Sequence, residues 1–319
     1  KGSIEPTSVR DAYDAWLLET FDDTFGRPLR ILVDAGNGCY ADWAPPIIGR
    51  FGHDVVPLHC TPDGRFPDRD PNPAVFTNLE GTCDAVRDAG VDLAVAFDGD
   101  GDRLVLIDER GRPVEADRLA VFFVHYLLRQ HDSVKVIYDL KCSDILRREV
   151  DALGGQAYME RSGHSFIRSR MMAEHAHFGA EISGHIFFRE LDYGDDALYT
   201  ALLAASICSH DERPLSQIID DIPVPIITRD IRVHLADDVR AGMVEKFHAA
   251  FPNLPATTVD GVRLDWPDGW ALCRGSVTEP VITLRFEAET VRRLKELLGI
   301  VGEAIPELAE ALALENEQL

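Results

Sequence analysis

Positive charge is scarce in this sequence. Across 319 residues, 32 Lys and Arg stand against 55 Asp and Glu, a formal net charge of -23 at pH 7. So acidic a chain has no broad basic face for a phosphate backbone or an anionic bilayer, so neither nucleic acid nor a membrane is an expected partner. A small anionic metabolite stays compatible, because a basic pocket can sit within an acidic surface. Cysteine is sparse as well: the six, at 39, 60, 83, 142, 208 and 273, include no Cys-x-x-Cys pair. In a chain of this length they read as reduced thiols rather than as a zinc site or a disulfide framework. Long apolar runs are missing too. None reaches membrane-spanning length and no signal peptide is visible, so the cytoplasm is the expected setting. The length itself suits two or three domains.

What the sequence does have is concentrated in one stretch. Val91-Asp92-Leu93-Ala94-Val95-Ala96-Phe97 reads as a buried strand, and Leu104-Val105-Leu106-Ile107 as another. Between them lies Asp98-Gly99-Asp100-Gly101-Asp102-Arg103. The glycines let the backbone turn tightly and bring three carboxylates to one point. Carboxylates without nitrogen or sulfur ligands suit a hard cation, Mg2+ in the first instance. An arginine directly after them is placed to hold a phosphate beside that metal. Two rival readings stand beside this one. In an EF-hand calcium loop Asp98, Asp100 and Asp102 would fill positions one, three and five, with Glu109 at twelve; but position six is Arg103 rather than Gly, and the flanks read as strands. In a plain polar turn, like charges this close would repel without compensation.

Strand and helix patterns alternate along the chain, which predicts an α/β fold. A helix is expected over 6–25, strands over 29–33 and 54–58, and a helix over 74–89 before the metal-loop strand. Gly36-x-Gly38 follows the first strand but lacks the third glycine, at 41, of a dinucleotide fingerprint, so a structural turn is the better reading. A second series places a helix over 117–129, strands over 134–140, 156–159 and 177–180, and helices over 144–153, 166–175 and 197–209. Ser143 or Asp144 would cap the second of these helices. From 223 a third unit reads as a strand over 226–234, a helix over 237–251, a hairpin over 259–273, a strand over 281–288 and a terminal helix from 290 that Pro306 would bend. The expected organisation is two consecutive mixed-sheet α/β domains, 1–109 and 110–222, followed by a smaller α+β C-terminal domain, 223–319.

Several polar groups follow predicted strands, the edge where open α/β sheets bind ligands: Lys141, the loop from Arg161 to His164, and Glu181-Ile182-Ser183-Gly184-His185. Glu181, Ser183 and His185 lie two apart, so an extended segment turns all three the same way. A carboxylate, a hydroxyl and an imidazole on one face suit the vicinal hydroxyls of a sugar. Arg274, Ser276 and Thr278 also alternate, on a glycine-containing loop, and make a plausible monophosphate clamp. For any one of these groups the plain alternative is a solvated surface loop.

These segments resemble the alpha-D-phosphohexomutases, the group that includes phosphomannomutase/phosphoglucomutase. Asp98-Gly99-Asp100-Gly101-Asp102-Arg103 resembles their magnesium loop, and Glu181-x-Ser183-Gly184-His185 their sugar-binding loop, with Ile182 where the mannose/glucose enzymes often have Met. Arg274-x-Ser276-x-Thr278 resembles the phosphate-binding loop of the last domain, with Val277 where many members carry Asn. Asp139-Leu140-Lys141-Cys142-Ser143 and Ser162-Gly163-His164-Ser165-Phe166-Ile167 are similar to segments that touch substrate. The resemblance covers nearly the whole chain and corresponds to the second, third and fourth domains. It implies interconversion of hexose 1-phosphate and hexose 6-phosphate, of mannose, glucose or both, through a phosphoserine and a hexose 1,6-bisphosphate, with a phosphoglucosamine mutase-like enzyme as an alternative. It also implies that Arg103 steadies the moving phosphoryl, that Lys141, His164, Glu181, Ser183 and His185 bind the phosphosugar, that His185 serves in proton transfer, and that Arg274, Ser276 and Thr278 grip the other phosphate. The Thr-x-Ser-His-Asn-Pro-like loop that carries the phosphoserine does not occur in these residues, so they are expected to bind a hexose phosphate without isomerising it. A non-catalytic phosphosugar-binding protein is the alternative from a different class.

Overall fold

The computed structural model describes residues 3, 5, 7–276 and 279–319. Its first part contains α1 (Arg10–Thr20), β1 (Arg30–Asp34), α2 (Ala44–Arg50), β2 (Asp54–Leu58), α3 (Glu80–Ala89), β3 (Leu93–Phe97), β4 (Leu104–Asp108) and α4 (Ala116–Gln130). There follow β5 (Lys135–Asp139), α5 (Asp144–Ala152), β6 (Gln156–Glu160), α6 (His164–Glu174), β7 (Phe178–Ala180), β8 (Ile186–Phe188), β9 (Gly194–Asp195), α7 (Ala197–His210) and α8 (Leu215–Asp220). The last part holds β10 (Ile226–Ile227), β11 (Ile231–His234), α9 (Asp237–Ala241), α10 (Met243–Ala250), β12 (Ala256–Thr257), β13 (Val262–Trp266), β14 (Gly269–Gly275), β15 (Val281–Ala288), α11 (Val291–Ala304) and α12 (Pro306–Gln318). The chain divides into two compact units, 1–132 with 183–222 and 133–182 with 223–319, so the stretch 110–222 is shared between them.

In the first unit a four-stranded sheet runs in the order β2-β1-β3-β4. β1 is parallel to β2 and β3, and β4 is antiparallel to β3, so the sheet is mixed. Every residue of β3 and β4 is buried. That is why these strands read as continuous apolar runs rather than as alternating ones. Leu32, Leu79, Val86, Ala94, Ala96 and Ile107 form a core on one face. α3 ends where Gly90 takes the left-handed conformation and donates its N–H to Val86 O. α7 is apolar on all sides and nearly all of it is buried. Its Tyr199 stacks on Trp16 and packs against Phe21, which brings 197–210 into the same unit as α1.

In the second unit β5 lies between β6 and β7, parallel to both. Ser143 Oγ accepts the Ile145 N–H and caps α5. The C-terminal sheet is antiparallel and built around β15, which pairs with β10, β11 and β14, while β13 joins β14 and β12 joins β13. α10, α11 and α12 supply Phe247, Leu294, Leu298, Val301, Leu308 and Leu312 to its core.

Several expected elements are broken or shortened. The strand expected over 226–234 splits because Thr228 turns inward and exchanges two hydrogen bonds with Phe286, N to O at 2.8 Å and Phe286 N to Oγ1 at 3.0 Å. The helix expected over 237–251 breaks at Gly242. Thr290 caps α11 through the Arg293 N–H, but Pro306 starts a new helix instead of bending the old one. α6 begins at His164, so that histidine opens a helix rather than closing a loop. β8, β9, β12 and α8 were not expected; at two to six residues they are too short to carry a periodic signal.

Candidate active site

The metal loop leaves the carboxyl end of β3 and curls around the buried carboxylate of Asp98. Oδ1 of Asp98 accepts the N–H groups of Gly101 at 2.9 Å and Arg103 at 3.2 Å, and Oδ2 accepts Nε–H of Arg103 at 2.8 Å. Asp100 is exposed and Asp102 half-buried, and one ligand oxygen from each of the three carboxylates lies within 4.8 Å of the others. The hydrogen bond with Asp98, burial and the Asp98 charge together hold the Asp100 carboxyl above its usual value. Oxygen-only ligands crowded in this way fit Mg2+, which would relieve the repulsion. The calcium-loop reading fails. Strands flank the loop, and Glu109 accepts the backbone N–H of Ser216 at 3.0 Å and the Ser216 hydroxyl, so it is no twelfth ligand.

Arg103 is partly committed. Besides Asp98, its Nη1 donates to Asn72 Oδ1 at 3.3 Å, and its Nη2 makes no hydrogen bond among the described residues. An antiparallel bridge joins Arg103 to His185, and Leu104 N donates to Gly184 O at 3.4 Å. This places the imidazole beside the loop: Nδ1 lies 2.7 Å from Asp195 Oδ2 and 3.8 Å from Asp102 Oδ2. An ionised carboxylate only accepts, so Nδ1 carries a proton toward Asp195. The Ser183 hydroxyl oxygen is buried with no hydrogen-bond partner among the described residues, a polar group that a ligand or water must satisfy.

In the second unit, Lys141, His164 and Glu181 follow the carboxyl ends of the parallel strands β5, β6 and β7. Lys141 Nζ lies 3.4 Å from Asp230 Oδ2, and Arg285 holds the other oxygen of Asp230 at 3.3 Å. His164 is exposed at the start of α6, and Glu181 is half-buried. At the end of β14, Arg274 Nη2 pairs with Asp260 Oδ2 at 2.7 Å. Ser276 Oγ accepts the Glu279 N–H at 3.3 Å, and the residue lines a cleft of about 490 Å³ with Arg240 and Glu245. Thr278 and its neighbour Val277 lie outside the described residues.

Residues 17–111 match the model of phosphoglucomutase/phosphomannomutase alpha/beta/alpha domain II, and residues 115–225 that of domain III. A phosphomannomutase/phosphoglucomutase of Pseudomonas syringae pv. tomato is 35% identical over 317 residues, which cover 98% of this chain and 68% of that protein. The chain belongs to the phosphohexomutase family. This is a family of isomerases, the hexose phosphate mutases. A solved phosphoglucomutase/phosphomannomutase family protein of Burkholderia thailandensis has 32% identity and a TM-score of 0.88, over 98% of this chain and 66% of its own. An N-acetylphosphoglucosamine mutase of Aspergillus fumigatus, solved with GlcNAc-6P and magnesium, shares the fold at 16% identity and a TM-score of 0.67, over 93% of this chain and 65% of its own. The chain thus spans about two thirds of the length of these relatives. Among the described residues no helix is long and apolar enough to cross a membrane.

The phosphohexomutase resemblance does not point to every group around these sites. Asp195, Asn72 and Asp230 each hold a candidate side chain, whereas Asp260, which holds Arg274, lies in the Asp260-Gly261-Val262-Arg263 segment that also resembles the family. Asp195-Asp196 ahead of α7 was the one visible cue, since an acidic residue before a helix commonly caps it. Asp196 does cap α7, through the Tyr199 N–H at 2.9 Å, and it also accepts the hydroxyl of Tyr13 at 2.6 Å.

Proposed function

We propose that this chain supplies the metal, sugar and phosphate contacts of an enzyme that interconverts hexose 1-phosphate and hexose 6-phosphate, with mannose, glucose or both as the sugar. One observation carries the reading: in a chain of this family, the carboxylates of Asp98, Asp100 and Asp102 converge beside Arg103 and His185. These three carboxylates would hold Mg2+, which when bound neutralises charge on a transferring phosphoryl group. Arg103 keeps Nε on Asp98 and offers Nη2 to a phosphoryl oxygen. Ser183 and Glu181 hydrogen-bond sugar hydroxyls, and His185, its Nδ1 proton on Asp195, binds there and takes part in proton transfer. Lys141 and His164 contribute positive charge or donors to a phosphosugar that binds in two orientations. Arg274, Ser276 and Thr278 hold the phosphate that is not being transferred. Hexose 1,6-bisphosphate is the intermediate and activator, and six cysteines with no disulfide among them suit a reducing, cytoplasmic setting.

The test is calorimetric titration of glucose 1-phosphate, mannose 1-phosphate and inorganic phosphate in the presence of Mg2+. Both sugar esters should bind more tightly than inorganic phosphate, and Ser183→Ala should weaken the esters alone. If neither ester binds, the reading is wrong.

A further inference from the structure

The turn Asp34-Ala35-Gly36-Asn37-Gly38 takes no part in the chemistry above, yet the metal loop rests on it. Gly38 lies so close that a Cβ there would meet the carbonyl oxygens of Gly99 at 2.7 Å and Asp98 at 2.8 Å. The next residue, Cys39, donates its N–H to Gly99 O and its thiol to Asp100 O, both at 3.0 Å. One side chain links this turn to the root of the loop. The side chain of Arg69 is 4% exposed, and its guanidinium donates Nε–H to Asp34 Oδ2 at 2.8 Å, Nη1–H to Asp70 O at 2.9 Å and Nη2–H to Phe97 O at 2.6 Å. Phe97 immediately precedes Asp98. Gly36, with φ of +51°, leaves room for the guanidinium: a Cβ there would stand 2.7 Å from its Cζ. Asp34 is held in turn by Thr82 Oγ1 at 2.5 Å, His59 Nδ1 at 3.1 Å and the Gly36 N–H at 2.9 Å.

We propose that Arg69 is a positioning residue for the cation site, fixing the Phe97 carbonyl so that Asp98 leaves β3 in the direction that brings its carboxylate to Asp100 and Asp102. The inference rests on the reading that these three carboxylates hold the cation. A planar guanidinium suits the task because it reaches β1, its own loop and β3 at once, which a single ammonium cannot do. An ion pair serving stability alone would be complete with Asp34; the bond to Phe97 O is the one that reaches the loop.

Mn2+ is the probe, titrated by electron paramagnetic resonance into this 319-residue chain, with urea unfolding run in parallel. Asp98→Asn should abolish loop-dependent binding. Arg69→Met should weaken Mn2+ by about 10- to 100-fold, the range for groups that hold metal ligands in place. Arg69→Lys should fall between Arg69→Met and the wild type, and it stands in if the methionine variant does not fold. Val86→Ala, at a fully buried position in α3, should lower stability and leave Mn2+ affinity as it was. Wild-type affinity in both Arg69 variants would overturn the inference while the metal site stands, as would an equal loss in Val86→Ala. Equal binding by wild type and Asp98→Asn would overturn the metal-site reading and this inference together.

Discussion

The Arg274→Ala variant separates recognition from scaffolding. The Arg274 side chain is 11% exposed and pairs at 2.7 Å with Asp260, which is 21% exposed, while its Nε is buried without a partner among the described residues. Two costs are therefore expected. Loss of a largely desolvated cation from the clamp should weaken glucose 1-phosphate by about 2–5 kcal/mol, which is roughly 30-fold or more. Leaving Asp260 unpaired should also destabilise the fold, but water reaches that carboxylate, so the cost should fall to about 1–3 kcal/mol, below the range for a fully buried pair. The double variant Arg274→Ala with Asp260→Asn removes the stranded charge. It should recover most of the stability, read from urea midpoints, and none of the affinity, read by calorimetry. If the double variant restores both, Arg274 acts on binding only through the fold and the clamp assignment is wrong. Unchanged affinity in the single variant would be equally fatal to it.

Gly38→Ala should cost about 1–3 kcal/mol in urea unfolding, since its new Cβ would press on backbone atoms of the metal loop that have no rotamer to yield; an unchanged midpoint would mean the turn does not seat the loop. Burial alone would raise the Asp34 carboxyl, but the hydrogen bond to His59, the Arg69 charge and Thr82 hold it below its ordinary value. A carboxyl lowered on folding gives stability that is full above about pH 4 and lost as pH falls through the folded value, so Asp34→Asn should flatten the acid limb of a plot of urea midpoint against pH. The same acid limb in wild type and variant would contradict this. In the second unit Arg263 is buried over the Trp270 ring at 4.1 Å and pairs with Asp144. Asp144 would keep Arg147 at 3.1 Å, so Arg263→Met should cost about 1–3 kcal/mol, below the range for a buried charge left with no partner, and adding Asp144→Asn should return part of it. Losses in the two variants that simply add would show no coupling between the pair.

What the residues determined alone is whatever depends on short sequence distances. The strands of 93–97 and 104–108, both buried throughout, are legible as unbroken apolar runs. The Asp98-Gly99-Asp100-Gly101-Asp102 spacing brings three carboxylates together by backbone geometry within five residues. The βαβ order follows from local periodicity, and the glycines at 36 and 38 are recognisable as a turn. Tertiary structure decided the rest, because it concerns partners that the chain brings from afar. Arg69 reaches Asp34 across 35 positions and Phe97 across 28, and neither distance leaves a trace in composition or period. Asp195 meets His185 only because β8 and β9, three and two residues long, fold back on each other. Glu109, a calcium ligand by its spacing, is drawn to Ser216, 107 residues away. Thr228 breaks a strand whose local pattern reads as continuous, since its buried hydroxyl takes the Phe286 N–H, whereas Gly242 is exposed with open space where a Cβ would stand and interrupts its helix through the backbone alone. Local chemistry thus named the candidate groups, and long-range packing set which of them are already held by a partner.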